Sequence, residues 1–162
     1  MGSAKKNQEE ARDRVRVVAT NRRARHEYDI LEQYEAGLVL KGTEVKSLRA
    51  GRCSLSDSYA SFQRGELFLH NMQIPPYEKG NRWNVEEKRS RKLLLHASEL
   101  NKLIGAVTRK GLTIIPLKVY FSKQYAKVQV ALCRGKKTYD KRDTLRRRDD
   151  ARELDRLRKA MR

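Results

Sequence analysis

"LTIIPLKVYFSKQYAKVQVALC", residues 112–133, reads as two β-strands folded about Ser122–Gln124. β-Branched and aromatic residues dominate it, and apolar and polar positions alternate along most of its length. Leu117, Val119 and Phe121 are expected on one face of the first strand, with Val128, Val130 and Leu132 facing them from the second. Pro116 has no N–H to give a ladder, so it predicts an edge or a bulge there. An antiparallel hairpin this apolar needs a sheet around it, and the rest of the chain supplies one.

Upstream, "ASELNKLIGAVTRKG" (97–111) is the clearest helix. Leu100, Leu103, Ile104 and Val107 fall at i, i+3, i+4 and i+7, Ser98 is the expected cap, and Arg109, Lys110 and Gly111 suit its end. "RKLLLH" (91–96) reads as a short strand, and the polar stretch 77–90 as a long, potentially mobile loop. Residues 57–74 make a hairpin about Arg64-Gly65, ended by Pro75-Pro76. "GTEVKSLRAG" (42–51) reads as a short helix with Thr43 near its N-cap, and 26–40 as a strand bent near Gly37. The sum is mainly β with helices: about six antiparallel strands and two or three helices. Closing such a set removes its edges, so a small closed barrel of the oligonucleotide/oligosaccharide-binding (OB) type is expected.

The chain has 162 residues and a formal net charge of +18, with 36% charged and only 38% apolar residues. Residues 1–27 carry +4, residues 28–133 carry +7 and residues 134–162 carry +7. Three parts are expected: a flexible basic N-terminal arm (1–17), a barrel domain (18–133) and a basic C-terminal tail (134–162). So high a positive charge calls for a polyanionic partner. Nucleic acid is favoured over membrane, because no stretch approaches the ~20 apolar residues of a spanning helix. Cys53 and Cys133 stand alone, as reduced structural thiols of a cytosolic protein do, and the three histidines are too dispersed for a metal site. No phosphate-binding glycine loop, catalytic triad or nucleophile elbow occurs, so no catalytic residue, cofactor or metal is expected.

Basic residues cluster in "NRRARHEY" (21–28), "EVKSLRAGR" (44–52) and "KRSRKLLLH" (88–96). By charge and position Arg22, Arg25, Lys46, Arg49, Arg91 and Lys92 are candidate phosphate contacts. On the last hairpin Lys118, Tyr120, Lys123, Tyr125 and Lys127 interleave cations with rings, a mixture suited to unpaired RNA, although ordinary cross-strand packing would look the same. Trp83 in the loop is either a flap onto the core or a contact residue. Asp29 with Glu44-Val45-Lys46 also matches a short metal-nuclease triplet, which normally sits on a parallel α/β core.

"NRRARHEY", "EAGLVLKGTEVKSLRAG", "SDSYA", "RKLLLH" and "GKKTYDKR" occur here in an order and spacing that resemble the SsrA-binding protein (SmpB) family of bacterial trans-translation. The resemblance covers roughly residues 18–162. It implies an OB-like barrel and an adaptor, not an enzyme, that binds the tRNA-like domain of transfer-messenger RNA (tmRNA). It further implies entry into stalled ribosomes with elongation factor Tu and GTP through the aminoacylated RNA, and a cytoplasmic monomer without membrane contact. By motif position it adds Asn21, Glu35 and Leu94 to the RNA-binding set, where Lys123 and Lys127 also belong. In the tail it maps Gly135, Lys136, Lys137, Asp140, Lys141 and Arg142, with Tyr139 at the variable position before Asp140. Arg146, Arg147 and Arg148 complete the tail's expected contacts with ribosomal RNA at the decoding centre and in the messenger channel. Residues 144–161 carry only a thin apolar stripe, so that helix is expected to be disordered alone and to form when bound. The alternative reading is a general ribosomal-RNA adaptor on the same fold.

Overall fold

The computed structural model describes residues 15–160, apart from the side chains of Thr138, Tyr139, Asp140 and Thr144. The expected arm falls outside the described residues as far as position 14. Strand β1 (Arg16–Thr20) then opens the fold, where the sequence reading placed no strand, and short helix α1 (Ala24–Glu27) follows. β2 (Tyr28–Leu38) leads into α2 (Gly42–Arg49), and β3 (Tyr59–Gln63) and β4 (Glu66–His70) form the expected hairpin. A 3-10 turn (Asn81–Trp83) interrupts the polar loop before β5 (Arg91–Leu94) and α3 (Ala97–Lys110). The closing hairpin is β6 (Thr113–Ser122) with β7 (Tyr125–Gly135), and the tail is helix α4 (Thr138–Ala160).

Among the described residues seven strands join one antiparallel sheet, one strand more than expected. β6 pairs with β7, β1 and, through Ala60 opposite Ile114, β3. β3 pairs with β4, β4 with β5, β5 with β2, and β2 with β7. Gly37 is the pivot of β2: it pairs with Lys127 of β7 and Leu94 of β5, so the strand changes partner where a bend was expected. β7 continues to Gly135, two residues past the expected end of the domain.

Inside, Leu48, Leu67, Leu69, Met72, Leu93, Leu103, Val119, Val128 and Val130 form the main core, and Leu100, Ala106 and Val107 of α3 pack against it. Helix caps differ from expectation. Lys41, not Thr43, caps α2, and its N–H donates to Glu44 Oε2 at 2.8 Å. His96, not Ser98, caps α3, with its N–H donating to Glu99 Oε2 at 3.3 Å. In both helices a third-position glutamate satisfies a backbone donor that a short capping side chain would otherwise leave free. Gly111 ends α3 at a φ of 62°, a conformation for which glycine is suited.

The expected face Leu117–Val119–Phe121 is broken. β6 carries a bulge between Pro116 and Lys118, so Leu117 has no partner on β7. Val119 and Phe121 point into the main core, but Leu117 joins Ala24, Ile115, Ala131 and Cys133 in a second cluster beneath α1. The extra residue reverses the alternation. Both cysteines are free; burial pushes the Cys53 thiol up to about 12 and Cys133 up to about 11, so both stay protonated.

A second correction concerns Arg91, expected to contact RNA. It is 0% exposed. Its Nε donates to Glu44 Oε1 at 2.8 Å, Nη1 to the carbonyls of Met72 (2.6 Å) and Arg89 (3.0 Å), and Nη2 to the Glu87 carbonyl (2.9 Å). Arg89 clasps the other side of Glu44, with Nη2 2.6 Å from Oε2. The charge count could not show this, because Glu44 and Arg91 lie 47 residues apart. The pair locks α2, β5 and the end of the 77–90 loop together, and it takes Glu44 out of any metal-nuclease triplet.

Burial alone would raise the Glu44 pKa, but bonds from Arg89, the Lys41 N–H and Arg91 outweigh it and hold the carboxyl below 4.5. The folded state therefore binds this proton more weakly than the unfolded chain. The contribution is full above about pH 4.5 and is lost as pH falls through the lower folded value. Glu44→Ala leaves a buried guanidinium without its counter-ion and should cost about 3–5 kcal/mol, read as a lower urea midpoint at pH 7. The difference from the parent should shrink below pH 4.

Candidate nucleic-acid interface

Across the outer face of the sheet, register aligns Val17, Tyr120, Lys127, Gly37 and Leu94 on five adjacent strands. A second row aligns Thr20, Lys118, Gln129 and Glu35. Glu35 sits where the rows meet. Lys127 Nζ donates to its Oε1 at 2.5 Å, and the Tyr120 hydroxyl donates to Oε2. The Lys127 bond, then the Tyr120 bond, hold the Glu35 carboxyl below its ordinary value. Burial first, then Glu35, push the Tyr120 phenol up. Glu35 is thus a fixed carboxylate, and with roughly four acceptor directions it keeps some for an incoming donor. Lys118 Nζ lies 5.5 Å from the Tyr120 ring centre, which places a cation beside the pair.

An open pocket of about 300 Å³ lies next to this carboxylate, lined by Glu35, Gly37, Leu94, Leu95, His96 and Lys127. Leu94 is 52% exposed. A Cβ at Gly37 would lie 3.4 Å from Leu94 Cβ, so the missing side chain keeps the pocket floor low. Glu35 and Leu94 were expected from family resemblance and Lys127 from the cations and rings interleaved on the last hairpin, and the structure brings all three to one depression. Gly37 and His96 were missed as lining residues, and Tyr120 as the donor to Glu35. Nothing in spacing could have revealed that bond, since it joins positions 85 apart.

The same outer face continues beneath α1. Ala24 of α1 is buried on Ile115, Leu117, Ala131 and Cys133, with Tyr28 and Ile30 alongside. Asn21 sets this helix in place. Its N–H donates to the Leu117 carbonyl at 2.7 Å and its Nδ2 to the Pro116 carbonyl at 3.1 Å. Its Oδ1 accepts the Ala24 N–H at 3.3 Å. The polar atoms of Asn21 are therefore engaged within the fold, while Arg22 and Arg25 stay exposed beside it.

The remaining expected contacts scatter. Lys92 is held by Glu66 at 2.7 Å on β5. Lys46 and Arg49 are exposed on α2, where the Arg49 carbonyl accepts Arg16 Nη2 at 2.8 Å. Lys123 occupies the β6–β7 turn at a φ of 57°. Lys136, assigned to the tail, is bound to the body: its N–H donates to the Glu27 carbonyl (2.9 Å) and its Nζ to the Arg25 carbonyl (3.1 Å). Lys137, Lys141, Arg142, Arg146, Arg147 and Arg148 follow at the start of the tail and along α4, and those from Arg146 to Arg148 are exposed. The side chains of Tyr139 and Asp140 lie outside the described residues.

If Lys127 holds Glu35 ionised, Lys127→Met should raise the Glu35 pKa toward 4.5, measured by carboxyl carbon NMR across a pH titration. Tyr120→Phe should raise it less, following the order of the two bonds.

Comparison with known proteins shows the family. The family profile described as SmpB protein matches residues 18–160. An SsrA-binding protein of Desulforudis audaxviator is 60% identical over 144 residues, covering 89% of this chain and 94% of that protein. One of Carboxydothermus hydrogenoformans is 54% identical over 145 residues, covering 90% and 97%. A solved chain from "tmRNA-SmpB: a journey to the center of the bacterial ribosome" superposes with a TM-score of 0.62 at 60% identity, over 74% of this chain and 85% of that one. On a match that spans nearly all of the described sheet and the tail helix, this chain belongs to the SmpB protein family.

Proposed function

We propose that this chain is the RNA-binding adaptor of trans-translation, which binds tmRNA through the outer sheet face and carries it to stalled ribosomes. The observation that carries the reading is Glu35, fixed as a carboxylate by Lys127 and Tyr120 beside the exposed Leu94. Cations supply affinity for any polyanion; a positioned acceptor can discriminate, because it bonds base amino and imino groups and not phosphates. Arg25 of α1, and Arg22 just before it, add phosphate contacts on the same face. The strand pairings, which run from β6 through β3, β4, β5, β2 and β7 back to β6, support a closed OB-type barrel as the scaffold. The RNA taken is the tRNA-like domain, and elongation factor Tu joins through its aminoacylated end, with this chain as a cytoplasmic monomer.

The tail does different work. Helix α4 leaves Leu145, Leu154 and Leu157 in solvent. With so little to bury it is marginal by itself. Its 23 residues span roughly 34 Å when helical. Among ribosomal RNA phosphates its basic faces would be neutralised and the helix held, along a path that messenger RNA would otherwise fill. An occupied channel then excludes the tail, and an empty one admits it.

Two sets of charge reversals separate these roles. R22E/R25E/K127E should weaken binding of the tRNA-like domain and reduce the log–log salt slope by up to about one unit per lost contact. R146E/R147E/R148E should leave that affinity and slope unchanged while abolishing peptide tagging on stalled ribosomes. Equal loss of binding in both sets would contradict the division of labour. A general ribosomal-RNA adaptor would bind unrelated structured RNA as tightly as the tRNA-like domain in competition.

A further inference from the structure

Trp83 is the chain's single tryptophan and is 70% exposed. Tryptophan is the side chain that folding most gains by covering, so a rigidly exposed one calls for an explanation. Its loop is built. Asn84 Oδ1 accepts the Tyr77 N–H and Asn84 Nδ2 donates to the Tyr77 carbonyl, both at 3.0 Å, closing a ring across seven residues. Gly80 and Trp83 add turn bonds at 2.8 and 2.9 Å, and Thr43 of α2 donates to the Trp83 carbonyl at 3.3 Å. A Cβ at Gly80 would fall 2.5 Å from the tethered Asn84 Oδ1, so the turn is packed tightly against its own brace. The loop is braced with the ring outward.

One cation stands beside the ring. The Arg82 guanidinium stands 5.1 Å from the indole centre. Lys46 of α2 lies over the Tyr77 ring at 5.3 Å, which joins helix and loop into one surface. Segment 41–52 has one acid, Glu44, and it is turned inward onto Arg89 and Arg91. Lys41, Lys46, Arg49 and Arg52 are left as an exposed row, of which Arg52 makes a surface pair with Glu78 at 3.1 Å. The buried clasp that locks the fold thus also takes the only acid of α2 off the surface, while Glu78 and Glu86 of the 77–90 loop stay exposed. None of these residues lines the pocket beside Glu35.

We infer that α2 and the 77–90 loop form a second RNA-binding surface, on which Trp83 stacks against an unpaired base while Lys46, Arg52 and Arg82 hold the flanking phosphates. A flat, exposed ring among cations is what sequence-tolerant single-strand binding uses, since every base offers a π-face. The surface does not depend on the tmRNA reading; any RNA with an unpaired base and a continuous backbone satisfies it.

Because Trp83 is the only tryptophan, fluorescence of the full chain under excitation selective for tryptophan reports this site alone. A short oligoadenylate should quench Trp83 emission saturably, and an abasic oligonucleotide of equal length should bind more weakly without quenching. Trp83→Ala should reduce oligoadenylate affinity about 5- to 150-fold, with Trp83→Phe retaining most of it. Glu35→Ala should leave the quenching intact. Equal responses to the two oligonucleotides, or unchanged affinity in Trp83→Ala, would overturn the proposal. So would a blue shift on anionic phospholipid vesicles without any response to oligoadenylate, which would make this a membrane surface.

Discussion

Two carbonyls at the β6 bulge, those of Pro116 and Leu117, are bonded by one residue, Asn21. Much of the proposed RNA face depends on that arrangement. A proline in an inner strand removes a ladder donor, and the bulge absorbs the defect by adding a residue. That residue, Leu117, turns outward and with Ile115, Ala131 and Cys133 makes an apolar footing on the outer face. Asn21 bonds the bulge with its N–H and Nδ2 and the first N–H of α1 with its Oδ1. The arginine-bearing helix is thereby seated on one half of the face, while the other half stays open around Glu35. An asparagine expected on the RNA-binding face from family resemblance is here the bracket that sets where the arginines stand.

Charge is sorted by the same economy of placement. Three of the acids are placed in distinct ways: Glu44 buried between two arginines, Glu35 on the open face held by Lys127 and Tyr120, and Glu66 against Lys92. The first stabilises the fold and clears α2 of negative charge. The second places one acceptor in a basic surround, where repulsion of phosphate is offset by adjacent cations. A chain with this net charge could bind RNA indiscriminately; under the proposed function, such placement supplies the selection.

Local patterning in the sequence carried most of the elements. The hairpins at 57–74 and 112–133, the helix at 97–110 and the polar loop lie where periodicity and turn residues put them. What it did not carry depends on contacts distant in sequence. Arg91 belongs by text to a basic run beside Lys88 and Arg89, yet its partners are Glu44 and the Met72 carbonyl, and only the folded sheet brings them together. β1 is five residues with a mixed pattern and gains its identity from pairing with β6. Leu117 was assigned the wrong face because Pro116 signals a bulge without saying where alternation resumes. At the site, Glu35 and Leu94 were legible only through family resemblance, since a carboxylate and a leucine carry no charge signal for RNA. Trp83 could be read two ways until its exposure was known.

The central claim is that one sheet face, from α1 to Leu94, receives the RNA. Amide NMR shifts of the full chain on adding the tRNA-like domain test it most directly. Large changes are expected at Arg22, Arg25, Glu35, Gly37, Leu94 and Lys127, with the tip of the β3–β4 hairpin at Arg64 and Gly65 unmoved. Changes centred on that hairpin, with Glu35 and Gly37 silent, would contradict it.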